Sequence, residues 1–479
     1  MATKGSSQSS TATHGSLWNR LFAPVDIASI VYFRIAFGAI MLWEVWRYYS
    51  YGWIKSYYID PVMHFTYYGF DWVRPWPGEG MYLHFLVLGV LAICILLGLW
   101  YRISAALFFL GFTYVFLLDQ ANYLNHFYLI CLISLLMVFV PAHRACSLDA
   151  LRRPEIHSDT APAWTLWLLR FQIGIPYFYG GLAKLDGDWL RGEPLSSWLA
   201  AKTDFPIIGP LFTERWMVYL FGYGGLLLDL LVVPLLLWRR TRPFAFAAAV
   251  LFHLLNAMLF QIGIFPWFMI AATALFFPPD WPRFGGRWWP VKSRSPRRPT
   301  ATAPLRPGQR LTLALLGIYM TVQLLVPLRH FLYPGYVGWT EEGHLFAWHM
   351  MLRSKRGKAE FFATDPVSGR SAKINPQYLL TPRQLRKFSR WPDMVLQFSH
   401  YIANELRKQG YPQVEVRARV VASLNGRRPQ LLIDPTVNLA AQSRTLMPTP
   451  WIVPFQEPLP EPDTTETATA DQITGIDDD

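Results

Sequence analysis

Cysteine, glycosylation sequons and charge are all scarce in this chain. Three cysteines stand in 479 residues, Cys94, Cys131 and Cys146. Two fall in apolar runs and none in the C-terminal third, so no disulfide framework is expected. The pattern Asn-x-Ser/Thr does not occur, which suits a bacterial or otherwise unglycosylated setting. Walker loop, dinucleotide fingerprint, zinc spacing and nucleophile elbow are missing too, so nothing calls for a tightly held nucleotide or metal. No cleavable signal peptide is expected. Charged residues make up only 16%, against 52% hydrophobic and 16% aromatic, with mean hydropathy +0.20. Such a balance belongs to a polytopic membrane protein rather than a soluble one.

Apolar runs of near-spanning length recur at 27–47, 81–99, 103–118, 126–141, 164–182, 216–237, 244–260, 262–278 and 311–330. The expected architecture is a membrane all-α bundle of about nine helices with a C-terminal external β-rich α+β domain. Its parts are a disordered cytoplasmic tail (1–16), a transmembrane catalytic domain (17–282) and a basic cytoplasmic linker (283–310). The last transmembrane helix (311–330), the external domain (331–455) and a disordered acidic tail (456–479) follow.

The net charge of +12 does not indicate nucleic acid, because the basic residues sit in loops between apolar runs. Arg20, Arg102, Arg144, Arg152, Arg153, Arg239, Arg240 and the cluster from Arg283 to Arg310 share one side when loops alternate. The positive-inside rule then puts the N-terminus in the cytoplasm and the C-terminal domain on the periplasmic, extracellular or lumenal face. In that domain Val414–Leu424 alternates with period two, Asn425-Gly426 reads as a hairpin turn, and Pro382–Gln409 has helical spacing.

Lys184 stands at the end of a long apolar run, in Gly180-Gly181-Leu182-Ala183-Lys184-Leu185-Asp186-Gly187-Asp188-Trp189. A charge there is costly and marks a functional candidate, although a lysine at a helix end also snorkels to water. Alternation brings Asn125 and His126 to the outer end of one span, and His253 and Asn256 to one face of another. Four polar groups at similar depth suggest a pocket opening outward. A lysine base there must be neutral, which requires Asp186 and Asp188 to point away. Arg34, Arg170 and Asp229 fall at inner depth and read as structural ion pairs fixing helix register.

With these residues assembled, the chain resembles the vitamin K-dependent γ-glutamyl carboxylases. The resemblance runs through Val31-Tyr32-Phe33-Arg34, Leu97-Gly98-Leu99-Trp100-Tyr101-Arg102, Asn125-His126 and Lys184-Leu185-Asp186-Gly187-Asp188-Trp189. It continues through Gly224-Gly225-Leu226-Leu227-Leu228-Asp229, Phe252-His253-Leu254-Leu255-Asn256, Trp348-His349-Met350-Met351 and Ile433-Asp434-Pro435. It implies a membrane lyase that deprotonates vitamin K hydroquinone as cosubstrate and converts it with O2 to the epoxide. The strong base formed on the way takes the γ-proton of a substrate glutamate, and the carbanion captures CO2. It also implies Lys184 as the initiating base and His126 as a second catalytic residue. Asn125, His253, Asn256, Met350 and Met351 then line the quinol pocket, with no metal. The partners implied are a Glu-containing protein or peptide, with or without a recognition propeptide, and membrane lipid. Ala183 stands where some members carry a second lysine, and the cysteines that join the two portions in animal members are missing. Two alternatives stay open: a membrane quinol epoxidase or oxidase that carboxylates no protein, and a non-catalytic receptor or transporter.

Overall fold

The computed structural model describes residues 17–285 and 305–459. The N-terminal tail, most of the basic linker and nearly all of the acidic tail expected from sequence lie outside the described residues.

Each apolar run is helical. The helices are α1 (Ala28–Ser50), α2 (Gly80–Leu97), α3 (Tyr101–Leu117), α4 (Asn125–Phe139), α5 (Ala163–Ala183), α6 (Arg215–Leu237), α7 (Arg242–Leu259), α8 (Phe265–Thr273) and α9 (Pro307–Leu325). A 3-10 turn extends α8 to Phe276 and another extends α9 to Leu332. Among the described residues, α1, α2, α6, α7 and extended α9 are long and apolar enough to cross a membrane; α3, α4 and extended α8 are apolar but shorter. Outward faces stay greasy, as lipid demands: Leu83, Leu110, Leu220 and Leu251 are all exposed.

Helix ends explain several residues. Gly98 closes α2 in the left-handed conformation (φ 65), where its N–H and that of Leu99 reach back into the last turn. A side chain there would sit 2.5 Å from Ser147 Cβ and 2.8 Å from an Arg34 nitrogen, so only glycine fits. The Asp149 carboxylate accepts from the Trp100 and Tyr101 amides at 2.9 Å each, capping the start of α3 from another segment.

The expected ion-pair network does not form. Buried Arg34 donates to the carbonyls of Ala142 (2.8 Å), Ala145 (3.3 Å) and Cys146 (2.5 Å). Arg170 donates to the carbonyls of Leu275 (2.8 Å) and Phe277 (2.9 Å). Both guanidiniums satisfy chain carbonyls left open at or just beyond helix ends, a task that needs donors rather than a carboxylate partner. Asp229 pairs elsewhere, as described below.

Two short strands, β1 (Pro24–Asp26) and β2 (Thr160–Pro162), pair antiparallel beside the bundle. The C-terminal part folds around β3 (Lys355–Thr364), β4 (Ser371–Ile374), β5 (Glu415–Leu424) and β6 (Gln430–Leu431), an antiparallel sheet ordered β4-β3-β5-β6. In β5 the alternation holds: Val416, Ala418, Val420, Ala422 and Leu424 are buried. They share a core with Met394, Val395, Phe398 and Ile402 of α10 (Pro392–Lys408). The helical stretch expected over 382–409 is in fact two helices. Pro382–Phe388 ends, and Pro392 starts α10 afresh, because proline is accepted in a first turn but breaks an interior.

Polar contacts dock this part onto the bundle. The Asp119 carboxylate, just beyond α3, accepts from the Ala121 and Phe65 amides and from Gln384 Nε2 (2.9 Å). Arg444 donates to Asp393 and to the Thr66 carbonyl.

Candidate active site

A cavity of about 390 Å³ lies among α5, α6, α7 and α8, and its walls are almost wholly apolar. The polar groups that interrupt them are Asn125, His126, Tyr177, Lys184, Asp229, His253 and Asn256. Met350 and Met351 close it from the segment leading into the external sheet. All seven pocket and catalytic residues expected from sequence therefore line one cavity.

Lys184 follows the last residue of α5, and its depth differs from the expectation. It does not stand at a water interface: Gly181 packs directly on Leu230 in the body of α6, and Lys184 is 6% exposed. The chain after it stays in the protein as the helices Gly187–Leu190 and Leu195–Ala200. Trp189, Leu195 and Trp198 of these helices share an apolar cluster with Leu259 and Phe260.

Lys184 Nζ donates to Asp229 Oδ2 at 2.7 Å and to the Gly180 carbonyl at 3.3 Å. It also lies 5.4 Å from the centre of the Trp189 ring. Asp229, read from sequence as a register-setting ion pair, is thus the partner of the candidate base. An aspartate in the middle of an apolar helix carries the same functional signal as an intramembrane lysine. The misreading came from assigning the two residues to different depths. Asp186 and Asp188 do point away: Asp186 caps the helix Gly187–Leu190, and Asp188 binds Arg427.

The other polar residues are held in place. The Asn125 Oδ1 accepts from the Tyr123 hydroxyl (3.0 Å), and its Nδ2 donates to the His349 carbonyl (3.2 Å). Asn125 therefore ties α4 to the segment carrying Met350. Asn256 Nδ2 donates to the Phe252 carbonyl at 2.8 Å, an orientation fixed because a carbonyl can only accept. Its Oδ1 makes no hydrogen bond among the described residues. Thr273 spends its hydrogen on the Met269 carbonyl (2.7 Å), so the Tyr177 hydroxyl donates to Thr273 Oγ1 (3.2 Å) and accepts from His253 Nε2 (2.7 Å). His253 Nδ1, left as a bare acceptor, has no partner among the described residues. Tyr177 and Thr273 sit in apolar runs with nothing in their spacing to single them out.

The lid over the cavity is a strained loop. Glu341, Phe346, Trp348 and Met351 all take left-handed backbone angles (φ 63, 65, 60 and 50), costly for side chains of this size. Buried Glu341 anchors the loop, accepting from Arg353 (2.7 Å) and Lys355 (3.2 Å). Burial pushes the Lys355 amine down to about 8 although Glu341 pulls the other way. Gly180 leaves room beneath the lid, since a Cβ there would come within 3.0 Å of the Met350 methyl. No group of His, Cys, Asp and Glu among the described residues is arranged to hold a metal.

Two family models match the chain. Residues 22–281, more than half of it, match the HTTM domain. Residues 308–458 match the vitamin K-dependent gamma-carboxylase, lumenal domain. No solved structure matches. Apolar helices followed by a domain of the lumenal type describe a membrane protein of carboxylase kind, and the chain belongs to the vitamin K-dependent gamma-carboxylase family.

Proposed function

We propose that this protein carboxylates glutamate side chains of a protein or peptide with CO2 while oxidising vitamin K hydroquinone to its epoxide with O2. In this reading about nine helices cross the membrane, the N-terminus is cytoplasmic and the C-terminal domain is external. The observation that carries it is one buried lysine paired with one aspartate inside an apolar cavity large enough for a quinol ring.

The γ-proton of glutamate is far too weakly acidic for any side chain to remove. A modest amine suffices if it only starts the oxygen chemistry by taking a phenolic proton. Lys184 needs a neutral amine at that moment, and Asp229 can supply it. Hydration normally favours both charges of such a pair; in an apolar cavity that support is gone. The ammonium proton can then pass from Lys184 Nζ to Asp229 Oδ2 along the 2.7 Å hydrogen bond, leaving an amine to receive the quinol proton. Asn256 Oδ1 is an acceptor suited to the second quinol hydroxyl. His126, packed against Phe127 and Phe265, faces the developing oxyanion as a stabilising dipole. Met350 and Met351 exclude water and admit the glutamate from the external side.

The test is incorporation of labelled CO2 into a Glu-rich peptide by purified protein supplied with reduced vitamin K. Carboxylated peptide with matching epoxide supports the reading. Epoxide without carboxylation would make the protein a quinol epoxidase, and neither product would leave the pocket to a binding role.

A further inference from the structure

One turn of the external sheet grips both walls of the cavity. Asn425, 2% exposed and left-handed (φ 50), closes the turn between β5 and β6. Its amide donates to the Ser354 carbonyl (2.8 Å) and its Oδ1 accepts from the Ser354 amide (2.8 Å). Its Nδ2 donates to Asp188 Oδ2 (2.8 Å). Arg427 binds both oxygens of the same carboxylate, Nη1 to Oδ2 at 2.5 Å and Nη2 to Oδ1 at 2.6 Å. Ser354 lies just after Met350 and Met351. Asp188 lies just after Lys184 and immediately before Trp189, whose ring faces the lysine. The carboxylate is therefore one post, Ser354 the other, and the turn is the bar between them.

A fork of this kind is directional as well as strong, because a guanidinium meets a carboxylate in one plane. It is also sheltered, with the Asp188 and Arg427 side chains 10% and 7% exposed. Nothing about holding the sheet together needs it, since β3 and β5 pair over their whole lengths. What it fixes is the distance between the lysine segment and the methionine lid.

We propose that Asp188, Asn425 and Arg427 form a clasp that positions Lys184 against Asp229 and seats Met350 and Met351 over the cavity, so that the external domain sets the geometry of the reaction. These are positioning residues, since none lines the cavity, and the proposal rests on the reading of Lys184 as the base. Reciprocal coupling follows: a polypeptide that shifts the β5–β6 turn also shifts the lysine segment.

The test uses the full-length protein with Asp188→Asn, Arg427→Lys and the exchange Asp188→Arg with Arg427→Asp. In quinol epoxidation, each single variant should lose kcat by about 10-fold or more, as misplacement of a catalytic group does. The quinol KM should hardly change, the pH midpoint of kcat should move, and the exchange should recover part of kcat. A second readout needs no catalysis. With the three native cysteines replaced, Met351→Cys should react with a thiol reagent about 10-fold faster in the Arg427→Lys background, as a freed lid opens more often. A lower melting temperature with unchanged kcat, pH midpoint and labelling would reduce the clasp to a structural salt bridge and overturn the proposal. Faster labelling in a protein that makes no epoxide would keep the clasp and fault the functional reading instead.

Discussion

Lys184 Nζ and Asp229 Oδ2 stand 2.7 Å apart, and both side chains are buried between α5 and α6. In the proposed reading, a base and its proton acceptor are thus built as one unit. Asp229→Asn keeps the shape and a hydrogen-bonding oxygen but cannot take the proton. Epoxidation and carboxylation should fall together by about 10²-fold, the scale of a lost acid–base group. Breaking a buried pair also costs roughly 3–5 kcal/mol, so Asp229→Ala should lose folded yield in addition. Full activity in Asp229→Asn, measured per folded protein, would return the residue to a structural role.

Arg34 is expected to serve the fold and not the reaction. Arg34→Met strips three chain carbonyls of their donor, at about 1–3 kcal/mol for each group left unsatisfied. The melting temperature should drop while kcat per folded molecule stays level. Gly98→Ala should do the same, through left-handed strain and the contact with Ser147.

Lys355 makes stability depend on pH in a stated direction. Its amine sits near 8 in the folded protein and at 10.5 as a free side chain, so between those values the unfolded chain binds the extra proton. The contribution is present above about 10.5 and lost as pH falls through about 8. The stability lead of the parent over Lys355→Met should therefore widen from pH 8 to pH 10.5 in thermal melts. A constant difference would mean that the amine titrates normally.

Sidedness can be read with single engineered cysteines. Val367→Cys, 78% exposed in the turn between β3 and β4, should react from the external face and Ser293→Cys in the basic linker from the cytoplasmic one. Labelling of both from the same face would overturn the topology.

The helices, the β5 strand with its turn and the cavity residues Asn125, His126, Lys184, His253 and Asn256 were legible because each rests on a local signal, whereas Met350 and Met351 came only with the resemblance. Apolar length marks a span, period-two alternation marks a half-buried strand, and a lysine at the end of an apolar run marks a site. Partnership was not legible. Asp229 and Lys184 lie 45 positions apart in sequence. Their meeting depends on α5 ending level with the middle of α6, a packing fact that hydropathy does not encode. Arg34 and Arg170 look alike as buried charges whether they meet a carboxylate or a carbonyl, and only tertiary structure shows the carbonyls. The left-handed lid and the Asp188–Arg427 fork escape for the same reason: their cause is a contact between distant segments.

The most direct test of the whole scheme is Lys184→Arg, assayed for epoxide and for carboxylated peptide in the same reaction. Arginine keeps the charge and can still face Asp229, but it stays protonated and offers no neutral amine. Both products should fall together by about 10²-fold or more with the protein still folded. Epoxide formed at the normal rate by Lys184→Arg would contradict Lys184 as the base.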